Sequence, residues 1–589
     1  MVGRGSPSSY PETLARRLAV ARGDEPADLL LSGGRVLSVF TGEVLDADVV
    51  VAGGVVAGVG DYQDAPATKR VDVSGLTLLP GFIDGHMHVE STKLMVDQFA
   101  RAALPWGTTG VVLDPHEIAN VFGLDGVRAI LAAAGSVPLD FFVMVSSCVP
   151  ASPFESNGAT VTPEDIARFL AEEPNALGVA EMMNFPDVVA GEGDALAKLD
   201  AARRAGGRHV DGHAPGLTGR ALNAYLAAGV GSDHECTTYE EALEKRRLGM
   251  WIMIREGSAA RNLEALLPLV LDHGPGNCML CTDDREPDQL LREGHVNDVM
   301  RRAVALGCPP ADAVVMGTLN AARYHGLRGR GAVAPGYAAD VVAVPDLESF
   351  RPSMVWKDGR LVAEDGSALD IPRVEAPEWM RGSIRVRELS AADFRIAAGS
   401  NGGLVRVIGV EAGQIVTRAL VEETVRLDGE ALADPARDLA KVAVVERHRE
   451  TGRIGRGFVR GFGLQRGALA SSHAHDAHNV VVVGVDDADM AAAVNRLRDV
   501  GGGQVAVLDG RPIGEVACPI GGLLSDRPVE EVAAAVRALE EAAHEGLGAT
   551  LPSPFMAMSF LALSVIPELK LTDRGLVDTV NFRLVPLEV

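Results

Sequence analysis

Two histidines one residue apart, His86 and His88, close the apolar run "GFIDGHMHVEST" (residues 81–92) of a chain with only 14 histidines. In a strand, residues i and i+2 face the same way. Both imidazoles therefore project from one strand end, as a metal grip requires. The same placement recurs down the chain. Asp114, His116 and Glu117 follow or close "GVVLD", and Glu181 closes "LGVAE". His213 follows "RHVDG", His234 and Glu235 follow "GVGSD", and Asp283 and Asp284 follow "CMLCT". Four histidines and two or three carboxylates at one mouth can hold hard or borderline divalent ions. Six protein ligands exceed what one open catalytic ion needs, so two ions sharing a bridging carboxylate and a bridging hydroxide fit better.

These groups need a frame that puts strand ends on one face. Residues 81–326 alternate strand-like runs such as "PLDFFVMVSS" with helical runs such as "TPEDIARFLAEE" and "HVNDVMRRAVALG". The rhythm predicts a (β/α)8 barrel, whose catalytic groups sit at the C-terminal strand ends. Residues 28–80 and 327–384 are β-rich and Gly-punctuated, and are expected to pair into one composite, β-sandwich-like domain. Residues 385–589 read as a further α/β domain, and residues 1–27 as an extension with a helix over 11–22 and a loose start. The fold class is thus α/β, with a TIM-like barrel between a small β domain and a C-terminal domain.

At 589 residues the chain exceeds one hydrophobic core. A net charge of −25 disfavours nucleic acid as a partner. Six scattered cysteines form no disulfide framework and suit a reducing cytosol. The Cys278/Cys281 pair has no second pair to complete a zinc site. No run of 18 apolar residues and no signal-peptide apolar segment is present, so no membrane partner is expected and the cytoplasm is the expected location.

Several long segments narrow the reading. "PGFIDGHMHVEST", "GTTGVVLDPHEIANVFG", "SDHECTTYEEALEKRRLGMWIMIREGSAARNL" and "CTDDREPDQLLREGH" closely resemble the adenine deaminase family of the amidohydrolase superfamily. So do the C-terminal "HDAHNVVVVG", "GGLLSD" and "ELKLTDRGLVD". The resemblance implies two divalent ions per subunit, manganese or iron(II), with zinc also suited. It implies His86, His88, Glu181, His213, His234 and Asp283 as ligands, Glu181 bridging where many superfamily members use a carbamylated lysine. It implies hydrolysis of adenine to hypoxanthine and ammonia, a purine-salvage reaction, in a homo-oligomer of two or more chains. Asp283 would move the proton of the attacking hydroxide. Glu117, Glu235 and His116 are candidates for protonating the ring, and the sequence does not choose among them. Arg255 and Ser258 in "IREGSAARN", Glu155 in "FESNGA", and Asp284 are candidates for orienting the substrate. His475, Asp476 and His478, with His473, stand in "SSHAHDAHN"; a role there in closing the site or at a subunit contact is expected. The rival readings are another amidohydrolase, either one acting on a related aminopurine or cyclic amide or an N-acetyl-sugar deacetylase, and a non-catalytic relative.

Overall fold

The computed structural model describes residues 10–258, 260–398 and 403–589. The expected loose start at residues 1–8 lies outside them. Eight short parallel strands close the barrel: Phe82–Met87, Thr108–Leu113, Asp140–Val145, Ala176–Met182, His209–Gly212, Ser232–Asp233, Trp251–Arg255 and Cys278–Cys281. The first five pair in order, as do the last three. Parallel bridges Val210–Val230 and Met87–Asp283 join the two arcs into a ring. These strands are near-continuous apolar runs because helices cover the outside and side chains fill the inside. Capping fixes where some helices begin. Thr162 accepts from the Asp165 amide while Asp165 reaches back to Thr162, which starts helix Pro163–Glu172.

Before and after the barrel, the chain builds one unit. Strand Thr77–Pro80 lies antiparallel to Val341–Val344, with Leu79 opposite Val342. That pair is the centre of a seven-stranded sheet, and a four-stranded sheet packs against it. Leu29 and Val49 from one sheet and Val36, Leu78, Val341 and Trp356 from the other share a core. Helix Tyr10–Arg22 buries Val20 against this unit, and Tyr62 Oη donates to the Ala21 carbonyl at 2.7 Å.

In the C-terminal region an eight-stranded, largely antiparallel sheet runs from Leu404 to Ala517, with helices Asp487–Val500 and Val529–Glu541 packed on it. Its core is continuous with that of the barrel. Leu94 and Ile118 belong to the same apolar cluster as Phe462, Leu523 and Leu524. Polar contacts reinforce the junction. The Ser525 amide donates to the Lys93 carbonyl at 2.8 Å, and Asn479 Nδ2 donates to the Ser156 carbonyl at 2.9 Å.

One buried ion triad holds the strand ends that carry chemistry. Lys245 Nζ lies 2.6 Å from both Asp233 and Glu241, and 2.8 Å from the Ala214 carbonyl. Asp233 in turn accepts from the amides of Ala214 and Glu235 at 3.1 and 3.2 Å. The loops bearing His213 and His234 are thereby tied to one lysine. Burial would raise the Asp233 carboxyl, but Lys245 outweighs it and holds the group well below the usual range. Removing the lysine strands two buried carboxylates. Lys245→Met is expected to lower the unfolding free energy by about 3–5 kcal/mol in urea titration. A loss below about 1 kcal/mol would mean the triad behaves as a surface pair.

Candidate metal and substrate site

Glu181 stands at the centre of the barrel mouth, near the end of the fourth strand and 1% exposed. Its two oxygens face different neighbours. Oε1 lies 3.2 Å from both His86 Nε2 and His88 Nε2. Oε2 lies 2.7 Å from His213 Nδ1 and 3.5 Å from His234 Nε2. Asp283, just beyond the eighth strand, completes the first group: its Oδ1 lies 3.4 Å from His86 Nε2 and 3.1 Å from His88 Nε2.

Most of these separations match neighbouring ligand atoms around one ion. With bonds near 2.1 Å, octahedral and tetrahedral arrangements put adjacent donors about 3.0–3.4 Å apart. Of the atoms that face one another, His86 Nε2 and Glu181 Oε1 are buried without a hydrogen bond, and so are the opposite ring nitrogens His86 Nδ1, His213 Nε2 and His234 Nδ1. Orphaned buried polar atoms of this number call for an occupant. Two sets, His86–His88–Glu181–Asp283 and Glu181–His213–His234, each bring one atom per residue within ligating range of the rest. The donors are imidazole and carboxylate, so the residues fit divalent cations.

Neighbours orient the donors. His88 Nδ1 lies 2.8 Å from the Asp114 carbonyl, which places the proton on Nδ1 and the lone pair on Nε2. Asp114 also receives Ser146 Oγ at 3.0 Å and His116 Nδ1 at 3.0 Å. Arg255 ends the seventh strand, 3% exposed. Its guanidinium forks onto Glu235, with Nη2 at 2.9 Å from Oε2, and reaches Asp283 Oδ2 at 2.8 Å. Burial raises both carboxyls, but Arg255 and the histidines outweigh it. Glu235 comes down to about 2, and Asp283 is held well below the usual range. Glu181 is lowered likewise, burial being outweighed by His234, His213, His86 and His88. In the other direction, burial lowers the imidazoles while Asp283, Glu181 and Glu235 raise them, His86 to about 10 and His213 to about 9.

The C-terminal domain covers this mouth. His475 and Asp476, in the segment between strands Ala468–Ser471 and Val480–Gly484, line the cavity together with Ile415, Phe560, Leu563 and Ile566. His475 stacks on Phe560 with ring centroids 4.8 Å apart. The segment is a turn, and it aims the consecutive residues His475 and Asp476 at the barrel. His478 and His473 are buried behind it. His478 Nε2 lies 3.8 Å from Glu117 Oε2, and His473 Nε2 lies 2.8 Å from the Leu523 carbonyl.

Other sequence expectations divide. His116, Glu235, Arg255, Asp283 and Asp284 all line the cavity. Glu117 lies beside it, bonded to Ser91 Oγ at 3.0 Å, and is pushed well above the usual range first by burial and then by Glu90. Asp284 also accepts from Ser91 Oγ, which leaves Asp283 as the residue facing His86 and His88. Two substrate expectations are corrected. Ser258 does not face the cavity: its hydroxyl donates to Gln289 and accepts from the Glu286 amide at 2.8 Å. Nor does it cap a helix, since helix Leu263–His273 starts after Asn262. Glu155 is neither exposed nor at the site. It folds back on its own loop, accepting from the Ala151 amide at 3.2 Å, and burial pushes its carboxyl up to about 8. Arg255 reaches the cavity, but its charge is committed to Glu235 and Asp283 rather than left free for a ligand. The apolar cover of Ile415, Phe560, Leu563 and Ile566 carried no sequence signal, since isolated apolar residues in a remote domain announce nothing.

A barrel with these donors at its mouth defines a class. Residues 77–362 match the amidohydrolase family, and residues 414–583 match the adenine deaminase C-terminal domain. The adenine deaminase of Desulfatibacillum aliphaticivorans is 50% identical over 97% of this chain and 99% of its own. That of Cereibacter sphaeroides is 47% identical over 96% of this chain and 98% of its own. A β-aspartyl dipeptidase from Fervidobacterium islandicum superposes on 58% of this chain and 99% of its own, with 18% identity and a TM-score of 0.45. The chain belongs to the adenine deaminase family, the amidohydrolases that carry this C-terminal domain.

Protons and cations compete for the same donors, because imidazole must be neutral to ligate. With His86 at about 10 and His213 at about 9, the ion-free site holds protons at neutral pH. Adding Mn2+ to metal-stripped protein at about pH 7.5 should therefore release at least ~1 proton per chain, and affinity should fall as pH is lowered. A dye titration in weak buffer reads the release. No release, with affinity independent of pH, would contradict this donor set.

Proposed function

We propose that the protein hydrolyses adenine to hypoxanthine and ammonia, using two divalent cations held at the barrel mouth. The observation that carries this reading is Glu181, whose two oxygens face separate donor groups, Oε1 toward His86, His88 and Asp283 and Oε2 toward His213 and His234. The family relationship supplies the substrate. In this reading His86, His88, Glu181 and Asp283 would hold one ion, and Glu181, His213 and His234 would hold the other. Manganese or iron(II) suits the imidazole–carboxylate set, as does zinc. When bound, the ions lower the pKa of water and make hydroxide available at neutral pH.

The chain's own groups account for the rest. Attack forms a C6–O bond, the C6–N6 bond then breaks, and the protons of the water end on the product ring and the leaving ammonia. Asp283 is the proton carrier: it is ionised, faces the donors through Oδ1, and is fixed through Oδ2 by Arg255. Glu235, kept ionised by Arg255, and Asp284 present acceptors to the amino and N–H groups of a purine edge. Phe560, Leu563, Ile566 and Ile415 provide an apolar roof for the flat ring and keep bulk water out.

We further infer a homo-oligomer in a reducing cytoplasm. Strand Thr417–Glu423 is an outer strand of the eight-stranded sheet, with Val421 51% exposed. Val425 and Leu427, 45% and 60% exposed, lie on the strand that follows it in the chain, the outer strand of a separate three-stranded sheet. An apolar sheet margin of this kind favours a second copy. All six cysteines are free thiols, which suits a reducing compartment. Among the described residues no helix is long and apolar enough to cross a membrane.

The direct test is ammonia release from adenine by protein loaded with manganese, iron(II) or zinc, with adenosine beside it. Turnover of adenine alone is the expected result, and no release with any metal would refute the substrate. His88→Ala and Glu181→Gln should each lose bound metal and nearly all turnover while circular dichroism is unchanged. Arg255→Gln should keep its ions and lose about 10–100-fold in kcat, because it orients groups that act directly.

A further inference from the structure

We propose that His116, His475 and Asp476 form a third divalent-cation site, on the seam between the barrel and the C-terminal domain. The site uses none of the six donors described above and does not depend on which molecule the enzyme deaminates.

The three residues approach from two domains. His116 opens the short helix after the second barrel strand, whereas His475 and Asp476 come from the C-terminal turn. Their ligating atoms lie within 4.8 Å of one another, and all three side chains are buried. His116 Nε2 and Asp476 Oδ1 face each other at 3.5 Å, and His116 Nε2 and both Asp476 oxygens have no hydrogen-bond partner. A carboxylate at 0% exposure with neither oxygen satisfied is an unstable arrangement unless a cation lies against it. The orientation of His116 supports that occupant. Its Nδ1 is anchored 3.0 Å from Asp114 Oδ2, which is how ligating histidines are commonly fixed, so the Nε2 lone pair points at Asp476. His475 is held in place by its stack on Phe560.

A second grouping, Glu117–His475–His478, competes for His475. Hydrogen bonding decides between them. The Ala474 amide donates to His478 Nδ1 at 3.1 Å, so the neutral ring carries its proton on Nε2, the atom facing Glu117. That nitrogen is a donor and not a ligand, and Glu117 Oε1 is already taken by Ser91. The ion therefore belongs with His116 and Asp476. Two imidazoles and one carboxylate suit manganese, iron(II) or zinc. Such an ion would pin the C-terminal turn to the barrel at the rim of the substrate cavity.

The test is a count and a map on the intact enzyme. Protein loaded with Mn2+ and dialysed free of excess is analysed for metal per chain, and crystals of it are measured for anomalous scattering at the manganese edge. Three ions are expected in the wild type, the third peak between His116 and Asp476, and two in Asp476→Asn and His475→Ala. Glu181→Gln should lose the barrel pair and keep the seam peak, which separates this site from the binuclear one. Two ions in the wild type, both within the barrel cluster, would overturn the proposal and leave the binuclear reading standing. The wild-type anomalous map decides the matter even where a variant does not fold.

Discussion

The structure depends on how a buried carboxylate is kept ionised. Glu181 sits 1% exposed at the barrel mouth, where desolvation alone would protonate it. Four imidazoles prevent that, and they arrive from three different strand ends. His86 and His88 come from the first strand, His213 from beyond the fifth and His234 from beyond the sixth. A closed ring of parallel strands is the simplest frame that brings them to one point. The bridge between Met87 and Asp283 closes that ring at the site itself, so closure of the barrel and assembly of the donor set are one event.

Around this centre lies a graded set of charges. Arg255 holds Glu235 and Asp283, and Lys245 holds Asp233 and Glu241. Neither cation is free for a ligand: Arg255 keeps Glu235 and Asp283 ionised, and Lys245 keeps Asp233 ionised, in a dry interior. Glu181 has no such basic partner and faces imidazoles alone, a donor set that suits a divalent ion. Stability and function are coupled by this arrangement, since every donor group that chemistry needs is also a desolvation cost that folding must offset.

That imidazoles and carboxylates gather at one mouth was legible because their positions obey local periodicity. The H-x-H spacing puts His86 and His88 on one strand face, and Glu181, His213, His234 and Asp283 each follow an apolar run of strand length. Strands Thr77–Pro80 and Val341–Val344, which pair, lie in the two β-rich flanks, 28–80 and 327–384, that were expected to form one unit around an alternating middle. What the chain did not disclose depends on distant contacts. Nothing near Glu155 indicates that its carboxylate turns back on Ala151, and nothing near Ser258 indicates Gln289 and Glu286 as its partners. Arg255 looked available for a ligand because Glu235 and Asp283 stand 20 and 28 positions away in the chain. The "SSHAHDAHN" segment was hardest, because its role is set by a turn and by the docking of a whole domain, and neither has a period.

That docking explains why a barrel with a complete donor set carries a further domain. An open mouth would leave the centre wet, with attacking water and developing charge both screened. Here the barrel and C-terminal domain share one apolar core, so the cover is a fixed wall and not a loosely tethered lid. Phe560 and its apolar neighbours exclude solvent, while His475 and Asp476 bring polar atoms to the same wall. The cover is therefore part of the site. Its apolar half lowers the local dielectric that strengthens every interaction made by Glu181 and Asp283, and its polar half closes the ring of donors on the side the barrel leaves open.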